Sequence, residues 1–301
     1  MRTRLSPRRL DVTSPNSSRA VNPLEKIIRK FLKLPLTAAL RTPFFRKRAA
    51  FHFRYEYFAD IELSIPLSHG FWCPVVGPDA LYSFSEIFVT GEYGSFLNEI
   101  PLPRRWVDLG CHAGYFTLYL AWQHALAGSA GDWRALLIDA DPRTKASTER
   151  TLAQNSLLPK CEYRTGLISK ETGEVNFALR EGMGSSADTR MGGIQGLRQV
   201  RAIPPAEILA ALPPPYDLIK IDVEGAEADF VEAYRTVHDQ AAAILVEWHS
   251  PDREGSNEKG LRKLLEASGF CLARELRPRR ELQLDGGWFS SGVQLYLRVS
   301  A

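Results

Sequence analysis

Cysteine is scarce in this chain of 301 residues, and Cys73, Cys111, Cys161 and Cys271 stand too far apart to make a Cys-x-x-Cys pair. That spacing suggests neither a thiolate zinc site nor a disulfide framework, so a reducing, cytoplasmic setting is expected. A long apolar run is also missing: no stretch of about 18 uncharged apolar residues is present to span a bilayer. The first 20 residues, dotted with Arg, lack the apolar core of a secretory signal, although their Arg- and Ser-rich make-up resembles an organelle transit peptide. No internal repeat is visible. Acidic residues are scarce at one end only. Residues 1–50 hold 13 Lys or Arg against 2 acids, a net +11, which leaves 25 basic and 33 acidic side chains, a net −8, in the other 251. The overall charge of +3 therefore hides a basic arm on an acidic body. Such an arm is open to several readings: a solvated tail, or contact with a membrane surface, an anionic glycan or nucleic acid.

What is present is enough apolar material for a core, 45% of residues. Three regions are expected: a basic extension over 1–50, a small β-rich cap or lead-in over 51–100, and a main domain over 101–301. In the extension, Leu24, Ile27, Ile28, Phe31 and Leu32 fall on one face of a helical wheel, with Lys26, Arg29, Lys30 and Lys33 opposite. That short basic amphipathic helix either packs on the domain or makes peripheral membrane contact through residues 23–50. In the main domain, short apolar runs at Trp106–Leu109, Ala135–Ile138, Glu162–Ile168, Leu218–Ile221 and Ala243–Val246 alternate with helical patterns. This predicts an α/β fold, a doubly wound, mostly parallel Rossmann-like sheet. Leu282–Trp288 and Val293–Leu297, with a Gly turn between, predict an antiparallel C-terminal hairpin.

Two of the strands end in carboxylates followed by glycine. In Asp108-Leu-Gly110-Cys-His-Ala-Gly114, Gly110 allows a tight strand-to-helix turn, and Gly114 lets a ligand or strand come close to the backbone. The spacing lacks the full Gly-x-Gly-x-x-Gly of dinucleotide sites, because His112 takes the middle place, which argues against a nucleotide-dependent oxidoreductase. Asp108 suits a ligand's cationic amino group better than a phosphate. Asp141, about 27 residues after Gly114 and just before Pro142, is placed to accept ribose hydroxyls; the plainer reading is a helix cap. The second carboxylate strand continues Lys220-Ile-Asp222-Val-Glu224-Gly-Ala-Glu227. Parallel strands bring both carboxylate ends to one sheet edge, where open α/β folds bind ligands.

Val107–Thr117, Asp141-Pro142, Asn155 and above all Lys220–Glu227 resemble the FkbM family of S-adenosylmethionine-dependent methyltransferases, over roughly residues 100–250. The resemblance implies a seven-stranded sheet with an antiparallel last strand. It also implies methyl transfer to a hydroxyl on a sugar, polyketide or similar small molecule, with S-adenosylmethionine as cofactor. The chain departs from the family pattern at Cys111-His112, where Ala-Asn is usual, and at Ile203–Glu207, where a Leu-Asp is usual before the fourth strand.

Asp222, Glu224 and His249 are the candidate catalytic residues. His249, with an ordinary pKa near 6.5 and Glu247 two residues before it, is the candidate base; the plainer reading is a structural histidine beside Trp248. The same three side chains offer donors for a divalent cation, but no close ligand spacing demands one, so no metal ligand is assigned. Glu227 and Glu232 are left to the dipole of the following helix or to a solvated face. Arg190, Arg198 and Arg201, after Gly182–Ser186, suggest either a plain surface loop or a mobile loop over the substrate. Nucleic acid is a poor acceptor for an edge so rich in acids, because its phosphates would be repelled. The competing non-enzyme reading is a membrane- or polyanion-binding adaptor that acts through the basic arm.

Overall fold

The computed structural model describes residues 62–76, 78–129, 131–180, 185–186, 194–252, 254–284 and 287–299. The basic extension, its amphipathic stretch and Arg190 lie outside the described residues.

One seven-stranded sheet organises the chain. Its strands are β3 (Arg105–Leu109), β4 (Arg134–Asp139), β5 (Cys161–Thr165), β8 (Leu218–Ile221), β9 (Ala243–Ser250), β10 (Phe270–Leu284) and β11 (Gly287–Arg298), in the order β10-β11-β9-β8-β3-β4-β5. The five strands from β5 to β9 pair in parallel, and β11 runs antiparallel to β9 and β10. The fold is thus α/β and Rossmann-like, with an antiparallel C-terminal hairpin. That hairpin begins at Phe270, well before the expected Leu282, because the Arg- and Glu-rich stretch between carries little apolar signal.

The parallel strands read as short apolar runs because both faces are covered. Along β3, Trp106 joins a core with Leu63, Ile65, Phe84, Phe96 and Leu118 on one face. Val107 and Leu109 point the other way, into a core with Ile219, Phe230, Ile244 and Leu261. Helices α2 (Tyr115–Leu126) and α3 (Lys145–Gln154) follow β3 and β4, while α5 (Glu227–Ala233) and α7 (Ser256–Ala267) follow β8 and β9. Among the described residues the remaining α-helices are the short α1 (Pro78–Phe84), α4 (Pro205–Ala211) and α6 (Arg235–His238).

Two expectations change. Among the described residues the lead-in holds one hairpin, β1 (Leu63–Pro66) with β2 (Trp72–Val75), turning at Ser68–Gly70, and is then mostly helical from Pro78 to Asn98, with a turn at 91–93. The supposed substrate loop is partly a strand: β7 (Ile194–Arg201) carries Arg198 and Arg201 and pairs antiparallel with β6 (Glu174–Arg180). Val175, Phe177, Val200 and Leu167 give this hairpin a small core of its own. Arg201 is tied to Glu207 at 2.8 Å, away from any substrate role.

Candidate active site

The carboxyl ends of β3, β4, β8 and β9 open onto a cavity of about 1030 Å³. That is the top of the range for small-ligand sites and leaves room for two ligands side by side. Gly110, Asp139 and Asp141 line one end, and Asp222, Glu224, Glu247 and His249 the other.

The end formed by β3 and β4 is built on backbone contacts. Gly110 adopts φ 71°, and a Cβ there would overlap the carbonyl of Asp222, so the turn after β3 packs directly on the end of β8. Residue 112 is also left-handed, at φ 47°. His tolerates that region better than most side chains, which suits residue 112 to this turn. Asp139 accepts from His112 N at 2.7 Å and from Asp141 N at 2.8 Å, and burial raises its pKa to about 6. Asp141 caps the turn that starts at Pro142 and holds the Arg143 guanidinium with both oxygens, at 2.6–2.9 Å. Burial works against its charge, but the bonds from Arg143 hold its pKa below the ordinary value. The cap and the cavity position are therefore both realised. Ile138, Leu167 and Phe177 add an apolar wall beside it.

Asp108 and Gly114 do not line the cavity. Asp108 has no exposed surface; it accepts from Thr117 Oγ1 at 2.9 Å and lies 3.5 Å from Lys220 Nζ. The cation it was expected to meet on a ligand is supplied by Lys220 of the chain itself. Gly114, at φ 74°, starts α2, and a Cβ there would press on Thr148 and Leu137, so it serves the approach of helix to strand.

The end formed by β8 and β9 is a cage of charge. Lys220, buried in an otherwise apolar strand, donates to Gly110 O at 2.9 Å and to Asp222 Oδ2 at 3.0 Å. Glu224 sits in a left-handed conformation, φ 51°, which turns it back over the strand end toward His249. His249 Nδ1 lies 2.8 Å from Glu227 Oε1, and its Nε2 lies 3.7, 3.8 and 4.0 Å from Glu247, Glu224 and Asp222. Phe289 stacks on the ring at 5.7 Å. Glu247 is held in turn by Tyr93 OH at 2.6 Å and by Arg277, which also pairs with Glu92 at 2.8 Å.

These contacts overturn two expectations. Glu227 belongs to the site: it is 2% exposed and orients the His249 ring, whereas Glu232 stays on the surface. Nor is His249 a neutral base near pH 6.5. Burial opposes its charge, but Glu224, Glu227 and Glu247 outweigh it and hold the ring protonated well above its ordinary value. Burial raises the pKa of Glu224 to about 7, against the pull of His249, which makes Glu224 the better matched proton acceptor. Glu247 keeps its charge far more firmly: His249, Arg277 and Tyr93 overcome its burial and push its pKa well down. Glu86, on the cavity wall, is raised to about 8 by burial and by Glu92, and is a neutral acid at pH 7.

Lys220 and Arg277 were not singled out as site residues, whereas the run Gly91–Phe96, open to reading as a pocket wall or as a loop ahead of a helix, brings Tyr93 to the cavity. A signal existed for Lys220, since a lysine inside Leu-Ile-Lys-Ile must find an anion once buried. None existed for Arg277, which reaches the site only through the pairing of β10 with β11.

No family model matches this sequence, and a comparison with curated proteins finds no match. Solved structures share its general fold at low identity. The O-methyltransferase of Bacillus cereus in complex with S-adenosylhomocysteine is 15% identical at a TM-score of 0.40, over 70% of this chain and 81% of that one. TomG of Streptomyces achromogenes, an O-methyltransferase of tomaymycin synthesis, is also 15% identical at 0.40, over 70% and 80%. The precorrin 8w decarboxylase of Methanobacterium thermoautotrophicum is 20% identical at 0.39, over 69% and 90%. Likenesses this distant, spread over different reactions, carry no argument about chemistry. The fold stands on the strand order itself.

Among the described residues no helix is long and apolar enough to cross a membrane.

Proposed function

We propose that this protein is an S-adenosylmethionine-dependent methyltransferase, acting on a hydroxyl of a sugar, polyketide or other small molecule, and that it belongs with the FkbM family. The observation that carries the reading is that one cavity is shared by both ends. It joins the glycine turn after β3 and the acid at the end of β4 to the acid-rich ends of β8 and β9.

The lining suits the cofactor. Asp141 offers carboxylate oxygens for ribose hydroxyls, and Leu167 and Phe177 offer an apolar wall for a base. The surplus of acids at the other end favours a ligand that carries sulfonium and ammonium charge over a dinucleotide pyrophosphate. When bound, S-adenosylmethionine supplies an electrophilic methyl carbon, so the protein's own task is alignment and proton removal.

Alignment is supplied by a rigid floor: Lys220 ties Gly110 to Asp222, so the turn on which the cofactor rests and the acids that face the acceptor move together. Positioning of this kind contributes several kcal/mol, on the order of 7–11 in well-aligned cases. Glu224 Oε2 accepts the proton of the acceptor hydroxyl, a step worth on the order of 10²–10⁴-fold. His249, held as a cation by Glu227, balances the negative charge that gathers around the departing proton.

Calorimetric titration with S-adenosylhomocysteine and, in parallel, NADH tests the reading. Micromolar binding of the first but not the second, weakened in Asp141→Ala, is the expected result. Well-folded protein that binds no S-adenosylhomocysteine would sink it.

A further inference from the structure

The charged end of the cavity has the donor set of a metal centre. Asp222, Glu224 and His249 each offer one ligand atom, and these atoms all lie within 4.8 Å of one another. His249 provides an observation that acid clustering alone does not. Its side chain is 6% exposed and its Nδ1 is taken by Glu227. Its Nε2 lies among three cavity-lining carboxylates and is in close contact with none of them. The nearest acceptors, on Glu247, Glu224 and Asp222, stand off at 3.7, 3.8 and 4.0 Å. Those gaps are too long for hydrogen bonds. The two to Glu224 and Asp222 fall between the separations of donors that share an ion, which lie about 3 Å apart when adjacent and about 4.2 Å apart when opposite for ligand distances of about 2.1 Å. A carboxylate on the far nitrogen of the ring, as Glu227 provides, is the usual support of a metal-ligating histidine.

We propose that Asp222, Glu224 and His249 bind one divalent cation at the acceptor end of the cavity. Two carboxylates with one imidazole suit a cation of the manganese, iron or zinc kind better than calcium, which prefers an all-oxygen shell. Three protein ligands leave further positions open toward the cavity, where two adjacent oxygens of a substrate can chelate the ion. The acceptor is then a compound with neighbouring oxygens, such as a vicinal diol, and the ion lowers the pKa of the hydroxyl that is to be methylated. This last assignment rests on the methyltransferase reading; the ion site does not. With Glu224 on the ion, the hydroxyl proton passes to solvent, and binding of the ion likewise displaces the Nε2 proton of His249 to solvent.

Manganese binding to the full-length chain, followed by the electron paramagnetic resonance of the free ion, is the test. One Mn²⁺ per chain with a micromolar Kd is expected. His249→Ala and Glu224→Gln should each weaken it by about 100-fold or more, and Glu227→Gln, which removes only the support of the ring, by about 10–100-fold. Binding by wild type no tighter than by the Asp222→Asn/His249→Ala double variant overturns the site, as does an unchanged affinity in Glu227→Gln. Should the ligand variants unfold, pulsed resonance on wild type decides: bound Mn²⁺ must show coupling to a histidine nitrogen, and its absence sinks the proposal. S-Adenosylhomocysteine binding without Mn²⁺ binding refutes the ion and spares the methyltransferase reading. The reverse outcome refutes the acceptor assignment and keeps the ion.

Discussion

The two ends of the cavity use the same kind of residue in opposite ways. At the ends of β3 and β4, Asp139 and Asp141 are satisfied: backbone N–H groups occupy one, Arg143 the other. At the ends of β8 and β9, Asp222, Glu224 and Glu247 crowd a single imidazole at distances of 3.7–4.0 Å, none of them a hydrogen bond. Asp222 and Glu247 are anchored from behind, by Lys220 and by Tyr93 and Arg277, so the charge that they and Glu224 turn toward the ring is held ready for a proton or a cation. On the proposed reading, the first end positions a ligand and the second acts on one.

Substitutions test that division. The largest effect is expected where the two ends meet. Gly110→Ala drives a methyl group into the carbonyl of Asp222 and demands a strained φ, at a cost of about 3 kcal/mol or more. Thermal unfolding should show it, and S-adenosylhomocysteine affinity should fall with it. If both properties stay unchanged, the ends are not coupled. Glu224→Gln comes next: kcat is expected to drop on the order of 10²–10⁴-fold with cofactor affinity nearly intact. Loss of cofactor binding instead would blur the separation of roles.

Asp139→Asn strips charge from two buried bonds to backbone N–H groups. It should cost about 1–3 kcal/mol in stability, read by urea unfolding, while the pH profile of kcat keeps its shape. His112 gives a smaller, pH-dependent effect. Burial, helped by Lys220, lowers its pKa to about 4, from an ordinary value near 6.5. The unfolded chain therefore takes up a proton between pH 6.5 and 4 that the fold refuses, and stability falls as pH drops through that window, by at most about 1.4 kcal/mol per unit. His112→Asn keeps the left-handed turn and should flatten this slope in unfolding curves from pH 7 to 4. Tyr93→Phe ranks last, at about 1 kcal/mol or less, since Arg277 continues to hold Glu247.

Much of this was legible in the sequence for a physical reason. Strands buried on both faces must be apolar at nearly every position, so β3, β4, β8 and β9 announced themselves as short runs between helical patterns. Their carboxylate ends followed from chain direction alone. β7 was not legible, because its exposed Arg and Gln positions interrupt any alternation. Glu227 was misread because one residue at a helix start carries no sign of what lies across the sheet. The ring it holds is 22 residues away in sequence and adjacent only through the pairing of β8 with β9.

By itself, then, the sequence determined the α/β class, the parallel edge and the presence of acids along it, all consequences of local patterns of burial and turn. Only the tertiary structure decided which acids are spent and which remain charged. That depends on distances of a few ångströms between residues far apart in the chain. Electrostatic energy in a buried site changes steeply over such distances.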